Sequence, residues 1–450
     1  MTFGEIGFEP ISSGGNGYIA SLNWWGTYQW VIAASKPFSS ILPLPDGVRY
    51  TTFVATEFSI LDTTVQLNSL ALVIGDLTAF GERAGIHVMD DLLEYGYDLP
   101  SLGSSFTSDG SLFIHGLFSD SLRLADTVLF ATSGEALFIA RFDANDQLEW
   151  ARIIAGSTDI LTPQFAMAPT GRIYVAGGYS SQTTFGDSLI DPFMTNQVFL
   201  LCLDETGHQQ WLYSSEEPIF CNGARICAAP SGGVYLSRTR HQGFDATDVA
   251  TSHFSPEGVL DWTTPLHFGY GGNLAIKSVQ LQSGGLATAI RNFTNGPGVK
   301  VVAVDANGTL EWEFSDGADG QNWATDLFAS SNDALFLTGS YEQGSVWGPF
   351  ELGTNGGFEP FVVKLSSEPL GVSSTAGRSE LSIAPNPAGD HIMITCTGCA
   401  GLDAQVTDAL GKVVTIGHVS AEVLQMDIAR LPEGLYLLKV GSASIRFIKQ

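Results

Sequence analysis

The sequence predicts an all-β protein in which a six- or seven-bladed β-propeller precedes a small Ig-like β-sandwich. Of the 450 residues, 51 are glycine and only 15% are charged, a composition that is typical of short strands and tight turns. The chain also contains an internal repeat, and its last 70 residues form seven short alternating segments. These observations assign residues 1–365 to the propeller, 366–379 to a linker and 380–450 to the sandwich.

The repeat is marked by the pattern Asp/Asn/Ser-x-x-Gly-x-x-x-Trp, found in full at residues 23–30, 204–211, 255–262 and 305–312. A fifth copy at 143–150 has Asp146 at the glycine position, and a degenerate sixth is predicted from Glu82 through Gly85 to Met89. Successive markers are 59, 61, 61, 51 and 50 residues apart, a period that is typical of propellers and solenoids. A structural role in sheet packing is predicted for the marker tryptophans Trp30, Trp150, Trp211, Trp262 and Trp312.

Further landmarks follow each marker in a fixed order. An aromatic-glycine step at 185–186 and 347–348 precedes an apolar strand, as at 198–203 and 361–365. Within the marker, glycine or asparagine accepts a positive φ and aspartate binds its own backbone, so the marker should close a hairpin. Four strand-like segments make one blade, and blades must stack around an axis because a lone sheet cannot bury both faces. Before the aromatic-glycine step, a short apolar strand is predicted to begin at Gly47, Gly110, Gly171, Gly233, Gly285 and Asp333.

The chain is expected to begin inside a repeat. Phe3-Gly4 and residues 18–22 match the last two strands of a repeat, and six full modules follow between Trp30 and Leu365. Residues 1–10 lack the basic and apolar regions of a signal peptide, so either the protein is cytoplasmic or its N-terminus is incomplete. The start inside a repeat favours the second alternative. The blade count therefore stays open between six and seven. Residues 1 to about 368 resemble the β-propeller repeats of large secreted bacterial proteins.

The segment after the linker is predicted to be a sandwich of seven strands. Pro385-Asn386-Pro387 favours an extended turn, Leu410-Gly411-Lys412 a hairpin, and Pro432-Glu433-Gly434 a turn into a buried strand. The predicted strands are residues 381–384, 391–396, 402–407, 412–416, 423–428, 435–440 and 443–448.

This segment resembles, over its whole length, the type A C-terminal sorting domain of proteins exported by the type IX secretion system of Bacteroidota. The resemblance implies export through that machinery, cleavage within 366–379 by a sortase-like peptidase, and a secreted or outer cell-surface location. An ordinary accessory Ig-like module is the alternative interpretation. The residues that carry the sorting-signal motif are Pro385, Asn386, Pro387, Gly411, Lys412, Gly434, Tyr436 and Lys449.

The net charge and the motifs of the sequence argue against several classes of function. The formal charge of -27 argues against a nucleic-acid partner, and no apolar run is long enough for a transmembrane segment. The sequence contains no HExxH, GxSxG or P-loop signature, so we predict no catalytic residue, metal site or cofactor. Residues 143–146 and 305–308 resemble calcium loops faintly, but hairpin turns are the favoured interpretation.

A non-catalytic binding or adhesion scaffold is therefore the favoured function. The alternatives are a carbohydrate-binding component and a secreted enzyme whose site is built by loops on the propeller face. The partner besides the export machinery would be a glycan or a surface protein. Arg238, Arg240 and His241 form a local basic cluster that could meet an anionic glycan, although scattered surface charges are the favoured explanation.

The five cysteines are the remaining residues that could form a disulfide, a redox pair or a metal site. A disulfide between Cys221 and Cys227 is the favoured pairing. Cys396-Thr397-Gly398-Cys399 has the spacing of a redox or half-zinc motif, but no second such pair accompanies it. We interpret it as a structural turn, with or without a disulfide.

Overall fold

The computed structural model divides the chain into two compact units, Met1–Leu365 and Ser366–Gln450. The residues that it describes are 2–3, 6–7, 17–22, 28–90, 92, 102–107, 109–157, 159–192, 196–215, 219–241, 246–270, 274–292, 298–316, 321–330, 333–342, 345–348, 350–353, 359–365, 381–396, 402–408, 412–419, 423–440 and 443–449.

The described part of the chain consists of strands joined by turns and contains no helix, which confirms the all-β prediction. The strands of the first unit are β1 (Thr2–Phe3), β2 (Ile6–Gly7), β3 (Gly17–Leu22), β4 (Tyr28–Ala34), β5 (Ser40–Leu44), β6 (Gly47–Val54), β7 (Glu57–Ile60), β8 (Thr63–Gln66), β9 (Ala71–Thr78), β10 (Arg83–Met89), β11 (Leu102–Phe106), β12 (Leu112–Leu124), β13 (Thr127–Phe142), β14 (Leu148–Ser157), β15 (Ile160–Met167), β16 (Ile173–Tyr179), β17 (Thr183–Phe185), β18 (Ser188–Ile190), β19 (Gln197–Leu203), β20 (Gln209–Ser214), β21 (Ile219–Ala228), β22 (Val234–His241), β23 (Ala246–Phe254), β24 (Leu260–Tyr270), β25 (Leu274–Gln280), β26 (Leu286–Asn292), β27 (Gly298–Val304), β28 (Leu310–Ser315), β29 (Gln321–Ala329), β30 (Leu335–Glu342), β31 (Ser345–Trp347), β32 (Phe350–Leu352) and β33 (Glu359–Leu365).

Seven main antiparallel sheets follow one another along the described residues of this unit, besides the two-stranded sheets β1-β2 and β31-β32, and we call the strands of a complete sheet A, B, C and D. In the described residues sheet 1 has strands C and D, which are identified by the repeat marker, because it lies between β3 and β4 as it lies between C and D elsewhere. Sheet 7 has strands A, B and C in the described residues. The sheets are β3-β4 (sheet 1), β5-β6-β9-β10 (sheet 2), β11-β12-β13-β14 (sheet 3), β15-β16-β19-β20 (sheet 4), β21-β22-β23-β24 (sheet 5), β25-β26-β27-β28 (sheet 6) and β29-β30-β33 (sheet 7).

A separate apolar core lies between each sheet and the next. Between sheets 4 and 5, for example, Tyr174 and Leu200 pack with Leu236 and Phe254. Equivalent cores join the other consecutive pairs from sheet 1 to sheet 7. Sheets 2 to 6 thus each bury their two faces against two neighbours, which is how repeat arrays gain stability.

A small hairpin between strands B and C crosses onto the preceding sheet. The hairpin β7-β8 pairs with strand D of sheet 1 through Ala34 and Ile60. The hairpin β17-β18 pairs in the same way with strand D of sheet 3. The aromatic-glycine step is the turn of this hairpin, where Gly186 has a φ of 53° and Gly348 a φ of 60°. The sequence located this landmark but did not indicate that it joins a neighbouring sheet.

The predicted register of the degenerate repeat is wrong by four residues. Its turn lies at residues 78–82, where the Thr78 N–H donates to the Glu82 carbonyl and Gly81 has a φ of 79°. The bulge of that strand then places Gly85, and not Met89, at the tryptophan position. The error arose because Gly85 was taken as the turn glycine when no tryptophan was present to fix the register.

The second unit folds as two antiparallel sheets around one core. The core contains Ile394, Val406, Leu438 and Phe447 from both sheets. The seven strands are those predicted, with bounds that differ by two residues at most. They are β34 (Leu381–Ala384), β35 (His391–Cys396) and β38 (Val423–Asp427) in one sheet, and β37 (Val413–His418), β36 (Asp403–Thr407), β39 (Gly434–Val440) and β40 (Ala443–Lys449) in the other.

The favoured disulfide is wrong, because Cys227 is a free thiol. Cys221 and Cys227 both lie in strand β21, and regular pairing over residues 224–228 holds Cys227 opposite Tyr235 of β22. Cys396, in contrast, is disulfide-bonded, so its sulfur is not a free thiolate for a zinc ion, and Cys399 lies outside the described residues.

Candidate functional site

The marker tryptophans are turned toward the neighbouring sheet by a β-bulge. In sheet 4, Cys202 pairs with Trp211 but Leu203 pairs with Gln209, so one residue is extra. A bulge re-aims the side chains of a strand. The extra residue precedes the tryptophan in every complete copy of the marker and in the fifth: Gln29, Glu149, Gln210, Asp261 and Glu311.

Four of the five tryptophan rings then pack on the marker glycine of the next sheet. An added Cβ on Gly258 would lie 2.7 Å from Trp211 Cδ2. The φ of Gly258 is 84°, so both the ring and the backbone call for glycine there. The same contact is made by Trp30 with Gly81, Trp150 with Gly207 and Trp262 with Gly308.

A hydrogen bond completes this contact, which we call the tryptophan lock. The Trp211 indole N–H donates to the Pro256 carbonyl at 2.9 Å. The same bond joins Trp30 to Ala79, Trp150 to Glu205 and Trp262 to Ala306, at 2.8 to 3.1 Å. The turn that would face Trp312 lies outside the described residues, so its predicted role is left as a prediction.

Between sheets 2 and 3 an ion pair replaces the lock. Gly85 stands at the tryptophan position and Asp146 at the glycine position, with a φ of 61°. Arg49 Nη1 donates at 3.2 Å to the carbonyl of Ala144, which is the carbonyl that accepts the indole N–H elsewhere. Arg49 Nη2 lies 2.7 Å from Asp146 Oδ2, and His87 Nδ1 lies 3.1 Å from the same oxygen. The two irregular repeat positions therefore face each other.

The faint calcium loops are hairpin turns. Asp143 Oδ1 accepts the backbone N–H groups of Asn145 and Gln147, both at 2.9 Å. The bonds from the Gln147 and Asn145 backbone hold the pKa of Asp143 below its usual value, the first contributing most. Asp305 is bonded in the same way in its own turn. Among the described residues, no group of three or more histidine, cysteine, aspartate and glutamate side chains is placed to hold a metal ion.

The predicted basic cluster is engaged inside the protein. Arg238 is only 5% exposed, and its Nη1 donates to Ser252 Oγ at 2.9 Å. Arg240 binds both carboxylate oxygens of Asp248, at 2.9 and 2.5 Å. The side chain of His241 lies outside the described residues. Two of the three cations of this cluster bind other side chains of the protein. The cluster therefore gives no support to the anionic-glycan interpretation.

His115 is placed in the interface between sheets 3 and 4. The His115 ring stacks on Phe165 of the next sheet, with ring centroids 3.7 Å apart. It also lies against Gly103, where an added Cβ would be 2.4 Å from His115 Cε1. Burial lowers the pKa of His115 to about 3, so the ring is neutral at physiological pH.

The first landmark of the predicted sorting signal lies along the edge of the C-terminal strand β40. We call residues 385–388 the strap. Asn386 Oδ1 accepts the Ile448 N–H at 2.9 Å, and Asn386 Nδ2 donates to the Arg446 carbonyl at 3.2 Å. The Ala388 N–H donates to the Ile448 carbonyl at 2.7 Å. One side chain thus makes the hydrogen bonds that a neighbouring strand would make.

The other motif residues lie near the strap or in nearby turns. Lys449 is 8% exposed and forms a parallel bridge with Ala388. Tyr436 stacks on Phe447, with centroids 5.6 Å apart, and donates its hydroxyl hydrogen to the Pro432 carbonyl at 2.8 Å.

The remaining motif residues belong to turns and strand ends. The Lys412 N–H donates to Asp408 Oδ1 at 2.9 Å, which closes the β36-β37 hairpin. Gly434 is the first residue of β39. Pro385 and Pro387 flank Asn386 in the strap and have no N–H to donate. Gly411 lies outside the described residues.

Residues 382–450 match the family model described as "Secretion system C-terminal sorting domain". We call this segment the sorting domain. A domain of this kind implies secretion through the type IX system, contact with that machinery, and a secreted or cell-surface location. No helix in the described part of the chain is long and apolar enough to cross a membrane. No curated protein matches the chain.

Several solved structures are similar to the chain at low identity. The Hadza microbial sialidase Hz136 is 13% identical, with a TM-score of 0.36, over 70% of this chain and 71% of that one. A protein of unknown function from Dyadobacter fermentans is 12% identical, with a TM-score of 0.36, over 73% and 94%. A mutant of the Synechocystis apocarotenoid oxygenase is 13% identical, with a TM-score of 0.37, over 66% and 72%. Likenesses at this level carry no argument about the function of this chain.

Proposed function

We propose that this chain is an exported β-propeller scaffold of a bacterium of the Bacteroidota, displayed on the surface or released, whose binding role is non-catalytic. The match of residues 382–450 to a sorting domain is the observation that carries the proposal. The strap supports it, because two landmarks that lie about 60 residues apart in sequence meet on β40.

The propeller part of the proposal rests on the succession of sheets. Six interfaces join seven sheets through similar apolar cores, and residues of sheets 1 and 7 line one common cleft. A ring of seven blades is the arrangement that this succession favours.

The scaffold role rests on the use of the repeat residues. The marker residues join sheets or close turns, as do Arg49, His87 and Asp146 in the irregular copy. These side chains are therefore committed to holding the array together. A glycan or a surface protein is the partner class proposed for the array, and removal of the sorting domain within 366–379 is proposed for maturation.

The test is export of the full chain behind a signal peptide in a bacterium with a type IX system. We expect the protein in the medium or on the surface, with a mature C-terminus within 366–379 by mass spectrometry. A strain without the outer-membrane translocon should retain it in the periplasm. Equal distribution in the two strains, or a mature protein that still ends at Gln450, contradicts the proposal.

A further inference from the structure

The outer face of the four-stranded sheet of the sorting domain is apolar where β39 and β40 meet. Leu435 of β39 pairs with Ile448 of β40, and these two side chains are 51% and 47% exposed. Leu437 lies two residues after Leu435 on the same face and is partly buried. We call these three residues the apolar patch. The solvent face of an antiparallel sheet is normally polar, so a contiguous apolar patch there indicates an interaction site.

The outer face of the other sheet of this domain has no such patch among its described residues. Val423 of β38 is 49% exposed and Met393 of β35 is 37% exposed. Met393 pairs with Gln425 and Val423 pairs with Thr395, so each apolar side chain has a polar neighbour across the sheet. Single apolar side chains of this kind are normal on a protein surface. Only the first face therefore needs a partner to explain it.

The charges beside the apolar patch are mainly basic. Lys439 lies two residues after Leu437 on the outer face of β39 and is exposed. Arg446 of β40 pairs with Leu437 and is exposed as well. Asp403 is the one acidic residue in the four strands of this sheet, and it forms an ion pair with His418 at 3.0 Å. In a chain of formal charge -27, a basic edge on this face suits a partner surface with an acidic rim.

Residues of the predicted sorting signal support the apolar patch from the inner side of the sheet. Tyr436 and Lys449 follow Leu435 and Ile448 along the two strands, and they are only 6% and 8% exposed. The Ile448 N–H is held by Asn386 of the strap. A partner cannot contact buried side chains directly, but it can contact the outward side chains that they hold in place. These motif residues therefore build a surface that lies next to them in sequence.

We propose that the apolar patch, with Lys439 and Arg446 at its edge, is the surface through which the sorting domain docks on the outer-membrane translocon of the type IX system. The matching surface of the translocon is then apolar at its centre and acidic at its rim. Burial of the patch supplies most of the affinity, and the basic edge supplies orientation. This inference rests on the proposed export of the chain and adds the side chains that the machinery contacts.

The test measures secretion of the full chain behind a signal peptide in a bacterium with a type IX system. The variant Leu435→Glu/Ile448→Glu changes two exposed side chains and brings two carboxylates against the acidic rim of the partner. Its secreted fraction should fall at least about tenfold, as expected for central contacts of an interface. The protein should accumulate in the periplasm.

Val423→Glu is the matched control, because Val423 is exposed to the same extent as Leu435 but lies on the other sheet. It should be secreted normally. Lys439→Glu should lower secretion, whereas Lys439→Arg keeps the charge and should not. The thermal melt of each purified full-length variant, followed by circular dichroism, should match that of the unchanged chain. A loss of secretion is then not a loss of folding.

Equal secretion of Leu435→Glu/Ile448→Glu and the unchanged chain overturns the proposal, as does an equal loss in Val423→Glu. A purified dimer that becomes a monomer in the double variant also overturns it, because a second copy then covers the patch. If the double variant melts at a lower temperature, Lys439→Glu decides, and its normal secretion overturns the proposal. If the unchanged chain is not secreted, the export proposal itself fails; if both it and the double variant are secreted, only this inference fails.

Discussion

At the scale of single residues, one ring, one carbonyl and one glycine join the sheets at each of the four interfaces that have the tryptophan lock. Trp211 buries its ring against Gly258 while its N–H is satisfied by Pro256. A buried indole needs a hydrogen-bond partner, and a turn at positive φ needs a residue without a Cβ. One carbonyl and one glycine of the same turn meet both needs, which explains the spacing in the marker.

Gly258→Ala should therefore lower the free energy of unfolding by about 2 kcal/mol or more, from left-handed strain and overpacking together. The added Cβ would clash with the Trp211 ring. The midpoint of guanidinium denaturation is the measurement. Gly156→Ala is the control, because nothing lies within 4 Å of its added Cβ. Similar midpoints for the two variants would contradict the lock.

His115 makes stability depend on pH. Its folded pKa is lowered by burial to about 3 from 6.5, so the unfolded chain binds the proton first. The stability that the neutral ring contributes is fully present above pH 6.5 and is lost as pH falls from 6.5 toward 3. His115→Phe keeps a ring on Phe165 and removes this dependence. Denaturant midpoints between pH 7 and 4 should fall less steeply in the variant, and identical slopes would refute the assignment.

At the scale of elements, the irregular interface between sheets 2 and 3 shows that the lock can be rebuilt from other chemistry. Arg49 supplies the donor that tryptophan supplies elsewhere, and Asp146 at the glycine position supplies a carboxylate that accepts a hydrogen bond from Arg49. The two changes are Gly85 at the tryptophan position and Asp146 at the glycine position. They lie on facing elements of sheets 2 and 3, so each one compensates for the other. The ion pair of this interface needs both Arg49 and Asp146. Removing either residue alone should therefore weaken the interface measurably.

Arg49→Met should lower the free energy of unfolding by about 3 kcal/mol, because it leaves the Asp146 carboxylate nearly buried without its cation. The double variant Arg49→Met/Asp146→Gly should recover at least about 1 kcal/mol of that loss. Arg83→Met is the control, since its ion pair with Asp62 is exposed and worth about 0.5 kcal/mol or less. Strictly additive effects in this cycle would show that the two residues act separately.

The strap is the element that protects the edge of β40. Asn386→Ala removes two hydrogen bonds to that strand, and we expect a loss of about 1 to 2 kcal/mol in the sorting domain. An uncovered edge pairs with other strands, so the secreted fraction of the full chain should fall. Fractionation with immunoblotting is the measurement. Asp403→Ala, at an exposed position on another strand, is the control and should be secreted normally.

Local sequence patterns predicted the positions of the strands better than they predicted which strands pair with each other. The strands of the second unit were predicted to within two residues, because alternation and the turns at Gly434 and Lys412 are local signals. The hairpin that crosses to the preceding sheet was missed, since pairing such as Ala155 with Phe185 leaves no periodic signal. The register of the degenerate repeat failed for a similar reason. Asp146 and Arg49 are far apart in sequence, and only the fold makes their relation visible.

At the scale of the whole molecule, the two units are built as independent structures. The core of the second unit is drawn entirely from residues 383–447. The cores of the first unit join sheet to sheet and end before residue 366. An export signal that is removed after use needs this independence, because the remaining part must stay folded on its own.

A chain that ends at Ser379 should accordingly fold, and its array should melt within about 2 °C of the array in the full chain, because no core residue of the array is lost. Circular dichroism at a β-sheet wavelength measures the melt. The same truncated chain behind a signal peptide should remain in the periplasm. A large drop in melting temperature would show that the sorting domain stabilises the array, and normal secretion would show that the export signal lies elsewhere. If the truncated chain keeps its melting temperature but is not exported, the C-terminal unit is a removable signal and not a domain that stabilises the array.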